Sequence, residues 1–329
     1  MSETLRFGIL GAARIAPAAL VRPAAKLPSV EITRIAARDR QRAEAFAAEH
    51  GIAAVAASYA ELVASDDVDV VYNPLPISLH AEWTVAALRA GKHVLCEKPF
   101  ASNAQEAARM VEVAEAEGRV LAEAFHYRYH PMFGRILDEV ASGRIGTVER
   151  VEGVFTVPIA QPDIRWDYAT GGGSLMDLGC YPVSWVRHVT GEEPVVASAE
   201  AVEGPDGVDA SIWAELAFSS GASGRIASAM DRGPETRLTI TGSEGTIEAA
   251  NPMAPQAGNT LTITSAGGQT AGPIEAGITY DHMVRAFADH VVHGAPFPTR
   301  GADSVANMAA IDAVYLAAGL PLRGAPELA

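Results

Sequence analysis

Across residues 5–124, short apolar runs alternate with helical stretches, and this alternation limits the fold more than any other feature of the chain. The apolar runs cover 6–11, 31–37, 68–73, 94–96 and 120–124, and helical patterns at 41–49, 60–64, 80–90 and 103–117 separate most of them. Strands alternating with helices of this length predict a parallel, doubly wound sheet. In such a sheet, ligands bind beyond the carboxyl ends of the strands. The residues just past each strand are therefore the first place to look for chemistry.

After Phe125 the pattern changes. An aromatic and cationic cluster, His126-Tyr127-Arg128-Tyr129-His130-Pro131, leads into a helical stretch at 132–142. β-rich runs follow at 148–157, 195–202, 210–218, 224–230, 236–241, 246–249 and 261–264, with Gly, Pro, Ser and Asp in their turns. With no helix between most of them, they predict an antiparallel sheet. Two helices, 280–293 and 303–318, close the chain. The expected organisation is an α/β dinucleotide-binding domain over 1–124 and an α+β domain over 125–329. The second carries a large, mostly antiparallel sheet, and its closing helix is able to pack back on the first.

The chain has 329 residues, 49% of them hydrophobic, enough for folded domains. Its net charge of −15, from 40 acids against 25 bases, argues against nucleic-acid or anionic-membrane partners, whose phosphates demand a basic face. Residues Met1-Ser2-Glu3-Thr4-Leu5-Arg6 show no basic, apolar leader, and no stretch is long and apolar enough to span a bilayer. Two cysteines, Cys96 and Cys180, make no disulfide framework. A soluble, cytoplasmic protein is expected. A reversible redox link between those cysteines is the minor alternative to two structural thiols.

The strand ends supply the motifs. Gly11, Ala13 and Ala16 fall on the dinucleotide fingerprint G-x-G-x-x-G/A, with only the first glycine kept and with Pro17 suited to a first helical turn. The strand over 31–37 ends at Ala37 and delivers Arg38-Asp39-Arg40. An acid there would hold the free ribose of NAD, whereas an arginine accommodates the 2′-phosphate of NADP. Arg38 thus favours NADP over NAD. Pro74-Leu75-Pro76 forms a rigid loop before His80, which either touches the cofactor or caps its helix. The run His93-Val94-Leu95-Cys96-Glu97-Lys98-Pro99 ends a buried strand at a carboxylate, an ammonium and a proline, so Lys98 sits on a stiff backbone at the ligand edge. In the second half, Gly171-Gly172-Gly173 gives a loop flexible enough for backbone to lie close to a ligand. Ser174 and Asp177 then resemble a capping box opening a helix. That helix would place Asp177 and Tyr181 on one face, with Pro182 either kinking it or starting a second.

Together GILGAARIA, LHAEW, GKHVLCEKP and GGGSLMDLGCYP resemble the glucose–fructose oxidoreductase, inositol dehydrogenase and rhizopine-catabolism family over nearly the whole chain. The tyrosine ending the glycine-rich motif is similar to the dihydrodiol dehydrogenase and xylose dehydrogenase branch. The resemblance implies a Rossmann domain plus a sheet whose open face makes a homodimer or homotetramer. It implies Lys98 and Tyr181 as the catalytic pair, with Asp177 bonding a substrate hydroxyl. Gly11, Ala13, Arg14, Ile15, Arg38, Pro74, Leu75, Pro76, His80, Glu97 and Lys98 would line NADP, Glu97 and Pro99 shaping the Lys98 loop.

The pair also makes physical sense by itself. A free tyrosine ionises near ~10, too high for a general base at neutral pH. An ammonium about 5 Å away, at an effective dielectric of about 20, favours the phenolate by roughly 3 kcal/mol, or about two pKa units. Candidate substrate contacts are His126, Tyr127, Arg128, Arg165, Trp166, Asp177 and Tyr181, a mixture suited to a polyhydroxylated small molecule. His126 and His130 stand at helical spacing without a third ligand nearby, so no metal is expected. The expected activity is NADP-dependent hydride transfer at a hydroxyl or carbonyl carbon of a sugar, cyclitol or related polyol. The alternatives are a silent NADP-binding sensor and an NAD-dependent glycosidase.

Overall fold

The computed structural model describes residues 4–324; the leaderless start read at Met1-Ser2-Glu3 lies outside the described residues, as do residues 325–329. Strand β1 (Leu5–Leu10) leads through a wide turn at Pro17–Val21 into α1 (Arg22–Ala24). There follow β2 (Val30–Ala36), α2 (Arg40–His50), β3 (Ala54–Val55), α3 (Tyr59–Ala64), β4 (Val70–Asn73) and α4 (His80–Arg89). Then come β5 (His93–Cys96), α5 (Ala104–Ala116) and β6 (Leu121–Glu123). All pairings among these strands are parallel, in the order β3-β2-β1-β4-β5-β6. This is the Rossmann arrangement, in which the order reverses beside β1 and opens a crevice at the carboxyl ends of β1 and β4.

The later elements are α6 (Pro131–Ala141), β7 (Val148–Thr156), α7 (Cys180–Thr190), β8 (Val195–Glu203), β9 (Asp209–Ala217), β10 (Ser223–Ala229) and β11 (Glu235–Gly242). They continue with β12 (Gly245–Ala250), β13 (Thr260–Ser265), β14 (Gly268–Gly272), α8 (Thr279–His293) and α9 (Ala302–Ala317). The eight-stranded sheet runs β14-β13-β12-β11-β7-β10-β9-β8 and is antiparallel except where β10 lies parallel to β7. Neither β3 nor β14 was expected from the sequence: one is two residues long, and the other, Gly-Gln-Thr-Ala-Gly, lacks an apolar face.

The chain divides into two compact units, each of them discontinuous. One comprises Met1–His126 with Tyr280–Val305, the other Tyr127–Thr279 with Ala306–Ala329. The first unit takes back its late segment through Phe287, whose ring meets Phe7 edge-on at 6.0 Å, and through Lys26, paired with Asp281 at 2.6 Å. Thr299 also donates to the Glu123 carbonyl at 2.7 Å while Arg300 bridges to Ala122, covering the edge strand β6. In the second unit, α7 lies on the sheet face formed by β7 and β10. Gly153 makes room for it, since a Cβ there would stand 3.0 Å from Pro182. Pro182 is the third residue of α7.

Candidate active site

In the first unit, the end of β1 builds a phosphate-type turn. Gly11 has φ 84°, and a Cβ on it would stand 3.1 Å from Leu75 Cδ2. Glycine there lets the turn close against the Pro74–Pro76 loop. Leu75 itself is buried, while Arg14 and Ile15 stand on the exposed side of the turn. Asn73 holds the loop from below, donating to the His80 carbonyl at 3.2 Å and the Thr84 hydroxyl at 3.1 Å and accepting from Leu75 N at 3.3 Å.

At the end of β2, Asp39 is the N-cap of α2, its Oδ1 accepting from Gln41 N at 2.9 Å and Arg42 N at 3.2 Å. Its carboxylate is thereby committed to the helix, and Arg38 remains exposed. Two neighbours that the motif alone does not indicate join them. Arg42 donates to the Ala12 carbonyl at 3.2 Å, tying α2 to the glycine turn. Tyr59 accepts from Arg38 N at 3.3 Å through its hydroxyl and meets the Trp83 ring at 5.1 Å. A glycine turn that a Cβ would obstruct, followed by an exposed guanidinium beside a helix-capping carboxylate, fits a phosphorylated dinucleotide.

Lys98 follows β5 and is part-exposed, and its peptide bond to Pro99 is cis. Glu97 beside it is buried and accepts from Tyr72 Oη at 2.6 Å and from Lys98 N at 3.3 Å. Burial, and then the Glu97 charge, push the Tyr72 phenol well above its ordinary range, so it stays protonated and keeps donating. His80 is buried, with Nδ1 3.0 Å from the Pro99 carbonyl and Nε2 2.9 Å from the Leu75 carbonyl. It spans the two loops that flank the strand ends. Burial pushes His80 down to about 4, so the neutral ring donates to one carbonyl and lies against the other. His126 packs on Tyr280 at 4.1 Å; burial, and then the Lys98 charge, push it down to about 3.

In the second unit, Tyr181 is buried in α7 among the rings of Phe155 (5.6 Å), Tyr127 (5.9 Å) and Trp185 (6.4 Å). Tyr127 is committed to packing, its hydroxyl 2.7 Å from Ser184 Oγ, and the Arg128 guanidinium lies over the Phe133 ring at 5.1 Å. Trp166 donates to the Ile159 carbonyl at 3.0 Å. Arg165 is held by Asp177 at 2.7 Å and Asp163 at 3.1 Å. Burial opposes its charge, but Asp177 and then Asp163 outweigh that and raise it above the ordinary arginine value. Of the expected substrate residues, Arg165 and Asp177 thus meet, as do Tyr127 and Tyr181, while His126 belongs to the first unit, as does the expected catalytic Lys98.

Two local expectations are corrected here. Ser174 does not cap a helix; its hydroxyl donates to Asp209 at 2.8 Å, and the chain continues as a wide turn over Leu175–Gly179 before α7. Gly171, Gly172 and Gly173 are not a flexible loop but are buried. A Cβ on Gly172 would stand 2.5 Å from the Arg165 carbonyl oxygen, so the motif is glycine-rich because backbone packs on backbone. Among the described residues no group of three or more His, Cys, Asp or Glu could hold a metal, and no helix is long and apolar enough to cross a membrane. Cys96 and Cys180 are both buried thiols.

Comparison with known proteins places this geometry in context. The D-xylose 1-dehydrogenase (NADP(+)) 2 of Haloferax volcanii is 38% identical over 317 residues, covering 94% of this chain and 96% of the relative. A dTDP-3,4-didehydro-2,6-dideoxy-alpha-D-glucose 3-reductase of Streptomyces violaceoruber is 36% identical over 262 residues, 78% of this chain and 76% of its own. The solved structure of a tyrosine-to-phenylalanine variant of an Actinomadura kijaniata 3-ketoreductase, with TDP-benzene and NADP, superposes with a TM-score of 0.90 at 31% identity. That likeness covers 96% of this chain and 98% of the other. The oxidoreductase family with an NAD-binding Rossmann fold matches residues 5–125 and the C-terminal domain of the glucose–fructose oxidoreductase, inositol dehydrogenase and rhizopine-catabolism group matches 133–248, and the chain belongs to this family of oxidoreductases.

Proposed function

We propose that the protein moves a hydride between NADP(H) and a hydroxyl- or carbonyl-bearing carbon of a sugar, cyclitol or related polyol, with Tyr181 as acid/base assisted by Lys98. The observation that carries this reading is the seat of Lys98. It stands at the ligand edge of the parallel sheet beside the Tyr72–Glu97 bond, and its charge reaches His80 and His126. The Haloferax relative, named for D-xylose and NADP(+), and the 3-ketoreductase solved with NADP support it. The exposed Arg38 and the capped Asp39 suit the 2′-phosphate.

When bound, the nicotinamide gives or accepts the hydride. Lys98 favours the phenolate of Tyr181, which takes the hydroxyl proton during oxidation and returns it during reduction. Asp177, held by Arg165, accepts from a substrate hydroxyl and orients the ring. His126, neutral above about pH 3, offers a further hydrogen-bonding atom without adding charge. Gly11, Ala13, Arg14, Ile15, Arg38 and the Pro74–Pro76 loop line the cofactor, while His80 and Glu97 hold the surrounding loops. The same reading includes self-association through the open sheet face, as a homodimer or homotetramer.

Turnover of a panel of sugars and cyclitols, followed by NADPH absorbance, tests the reading. Tyr181→Phe is expected to bind NADPH normally and to lose turnover by the order of 10²–10⁴-fold. Lys98→Met should do similar damage, and the double variant should be little worse than either single. Near-wild-type turnover in Tyr181→Phe sinks the assignment.

A further inference from the structure

Behind the glycine-rich segment lies a cluster that no catalytic step uses. Arg323 and Asp209 are both 0% exposed, and they pair at 2.9 Å. The Arg323 guanidinium is stacked between the rings of Tyr168 (4.6 Å) and Tyr315 (4.5 Å). Its Nε donates to the Gly172 carbonyl at 2.7 Å and its Nη1 to the Pro321 carbonyl at 3.0 Å. Asp209 Oδ1 also accepts from Tyr315 Oη at 2.8 Å, and Oδ2 accepts from Ser174 Oγ at 2.8 Å and Leu175 N at 2.7 Å. Tyr168 Oη, donating to the Leu322 carbonyl at 2.6 Å, fastens the chain that carries Arg323.

Three of these bonds end on the segment leading to Asp177 and Tyr181: those to the Gly172 carbonyl, Ser174 Oγ and Leu175 N. Gly172 and Gly173 sit against the cluster on one side and the 165–167 backbone on the other, donating to the Asp167 and Arg165 carbonyls at 3.0 Å each. The fit leaves no slack. Gly173 has φ 138°, and a Cβ there would stand 2.2 Å from Asp209 Oδ1 and 2.8 Å from Tyr315 Oη. The Gly173 carbonyl in turn accepts from Asp177 N at 3.0 Å. Asp177 is thus fixed twice, through its own backbone and through the Arg165 side chain at 2.7 Å. Catalytic groups must be held to within a fraction of an ångström by neighbours that are themselves locked.

We propose that Arg323, Asp209 and Tyr315 are positioning residues for hydride transfer: a buried clamp on Gly172, Ser174 and Leu175 that sets where Asp177 and Tyr181 stand. The inference rests on the role given to Tyr181 above. Loosening the clamp should slow turnover while leaving NADPH binding alone, because Gly11, Arg38 and Lys98 lie in the other unit.

The test compares Tyr315→Phe, Arg323→Lys and Tyr181→Phe in the full-length protein. Below each variant's melting temperature, sugar KM and kcat are measured, together with the NADPH Kd by fluorescence titration. Tyr315→Phe, which deletes one hydroxyl and keeps the ring, is mild enough to fold. Its kcat is expected to fall about 10-fold, and that of Arg323→Lys about 10- to 100-fold, as misplacement by up to an ångström would produce. NADPH Kd should stay within about 2-fold in both. Adding Tyr315→Phe to Tyr181→Phe should cost less than Tyr315→Phe costs alone, because the part of the clamp's effect that passes through Tyr181 is already lost. If Tyr181→Phe is crippled while Tyr315→Phe and Arg323→Lys keep wild-type kcat, only the clamp is refuted and the cluster merely supports the fold. If Tyr181→Phe retains turnover, the assignment of Tyr181 falls and the clamp falls with it.

Discussion

Replacing Arg38 by serine tests cofactor choice at one exposed position, where no packing is disturbed. β2 ends at Ala36, and the next residues able to meet an adenosine ribose are Arg38 and Asp39. A carboxylate turned toward the ribose would favour NAD. Asp39 is oriented for another task, since its Oδ1 accepts from the first amides of α2. A charged hydrogen bond from Arg38 to the 2′-phosphate contributes roughly 1.5–3 kcal/mol, or about 10- to 150-fold in Kd. Because Arg38 is exposed, salt screens it, with a Debye length of about 8 Å at 0.15 M. The lower end is therefore expected at physiological ionic strength and the upper end in dilute buffer. Fluorescence titration of NADPH and NADH with wild type and Arg38→Ser measures both ratios. NADPH should weaken by that factor and NADH should barely change. Asp39→Ala separates the two neighbours: it should lower stability by about 1 kcal/mol through the lost cap and leave the NADPH/NADH ratio intact. Ala37→Asp should reverse preference by placing a carboxylate at the strand end. If wild type holds NADH as tightly as NADPH, or Arg38→Ser weakens both equally, the argument from the strand end is wrong.

Acid should destabilise the protein through two buried histidines. His80 and His126 are held down to about 4 and about 3, against an ordinary 6.5. Between pH 6.5 and about 4 the unfolded chain therefore binds protons that the folded chain refuses, and each histidine removes up to about 1.4 kcal/mol per pH unit as pH falls. Urea midpoints from pH 7.5 to 5 should decline, and His126→Gln should flatten the decline; an equal slope in that variant refutes its burial as a neutral group. Self-association should appear as a dimer or tetramer by sedimentation velocity. The open sheet face carries the Arg150–Glu152, Arg150–Glu215 and Arg225–Glu215 pairs, and its edge strand exposes Val195 (70%) and Val202 (45%). A monomer at micromolar concentration would remove that part of the reading.

What the sequence shows well is whatever short-range physics decides. Buried parallel strands such as 70–73 and 93–96 need continuous apolar runs, and their helices declare themselves through caps such as Asn103, whose side chain accepts from Glu106 N. The turn at Gly11 and the stop at Glu97-Lys98-Pro99 are equally local. Strand β14 was invisible because Gly268–Gly272 pairs only by backbone with β13 and carries no apolar side chain. The return of residues 280–305 to the first unit depends on contacts such as Phe7 with Phe287, 280 positions apart, for which no local pattern exists.

The glycine-rich motif shows most clearly where local reading ends. Three consecutive glycines can admit a ligand to the backbone or admit more protein, and composition does not choose between them. The choice is made by Asp209, Tyr315 and Arg323, which approach from two distant parts of the chain and occupy the space a Cβ on Gly173 would need. Ser174 shows the same override: its spacing to Asp177 suits a local cap, but its hydroxyl serves Asp209, 35 positions away. A buried ion pair is a poor way to gain stability, since apolar groups of similar volume often do as well or better. A well-packed apolar residue in place of Arg323 would nevertheless leave the Gly172 carbonyl without the Arg323 donor, and one in place of Asp209 would leave Leu175 N without the Asp209 acceptor. In the proposed clamp these charges hold a particular backbone path, and that path leads to Asp177 and Tyr181.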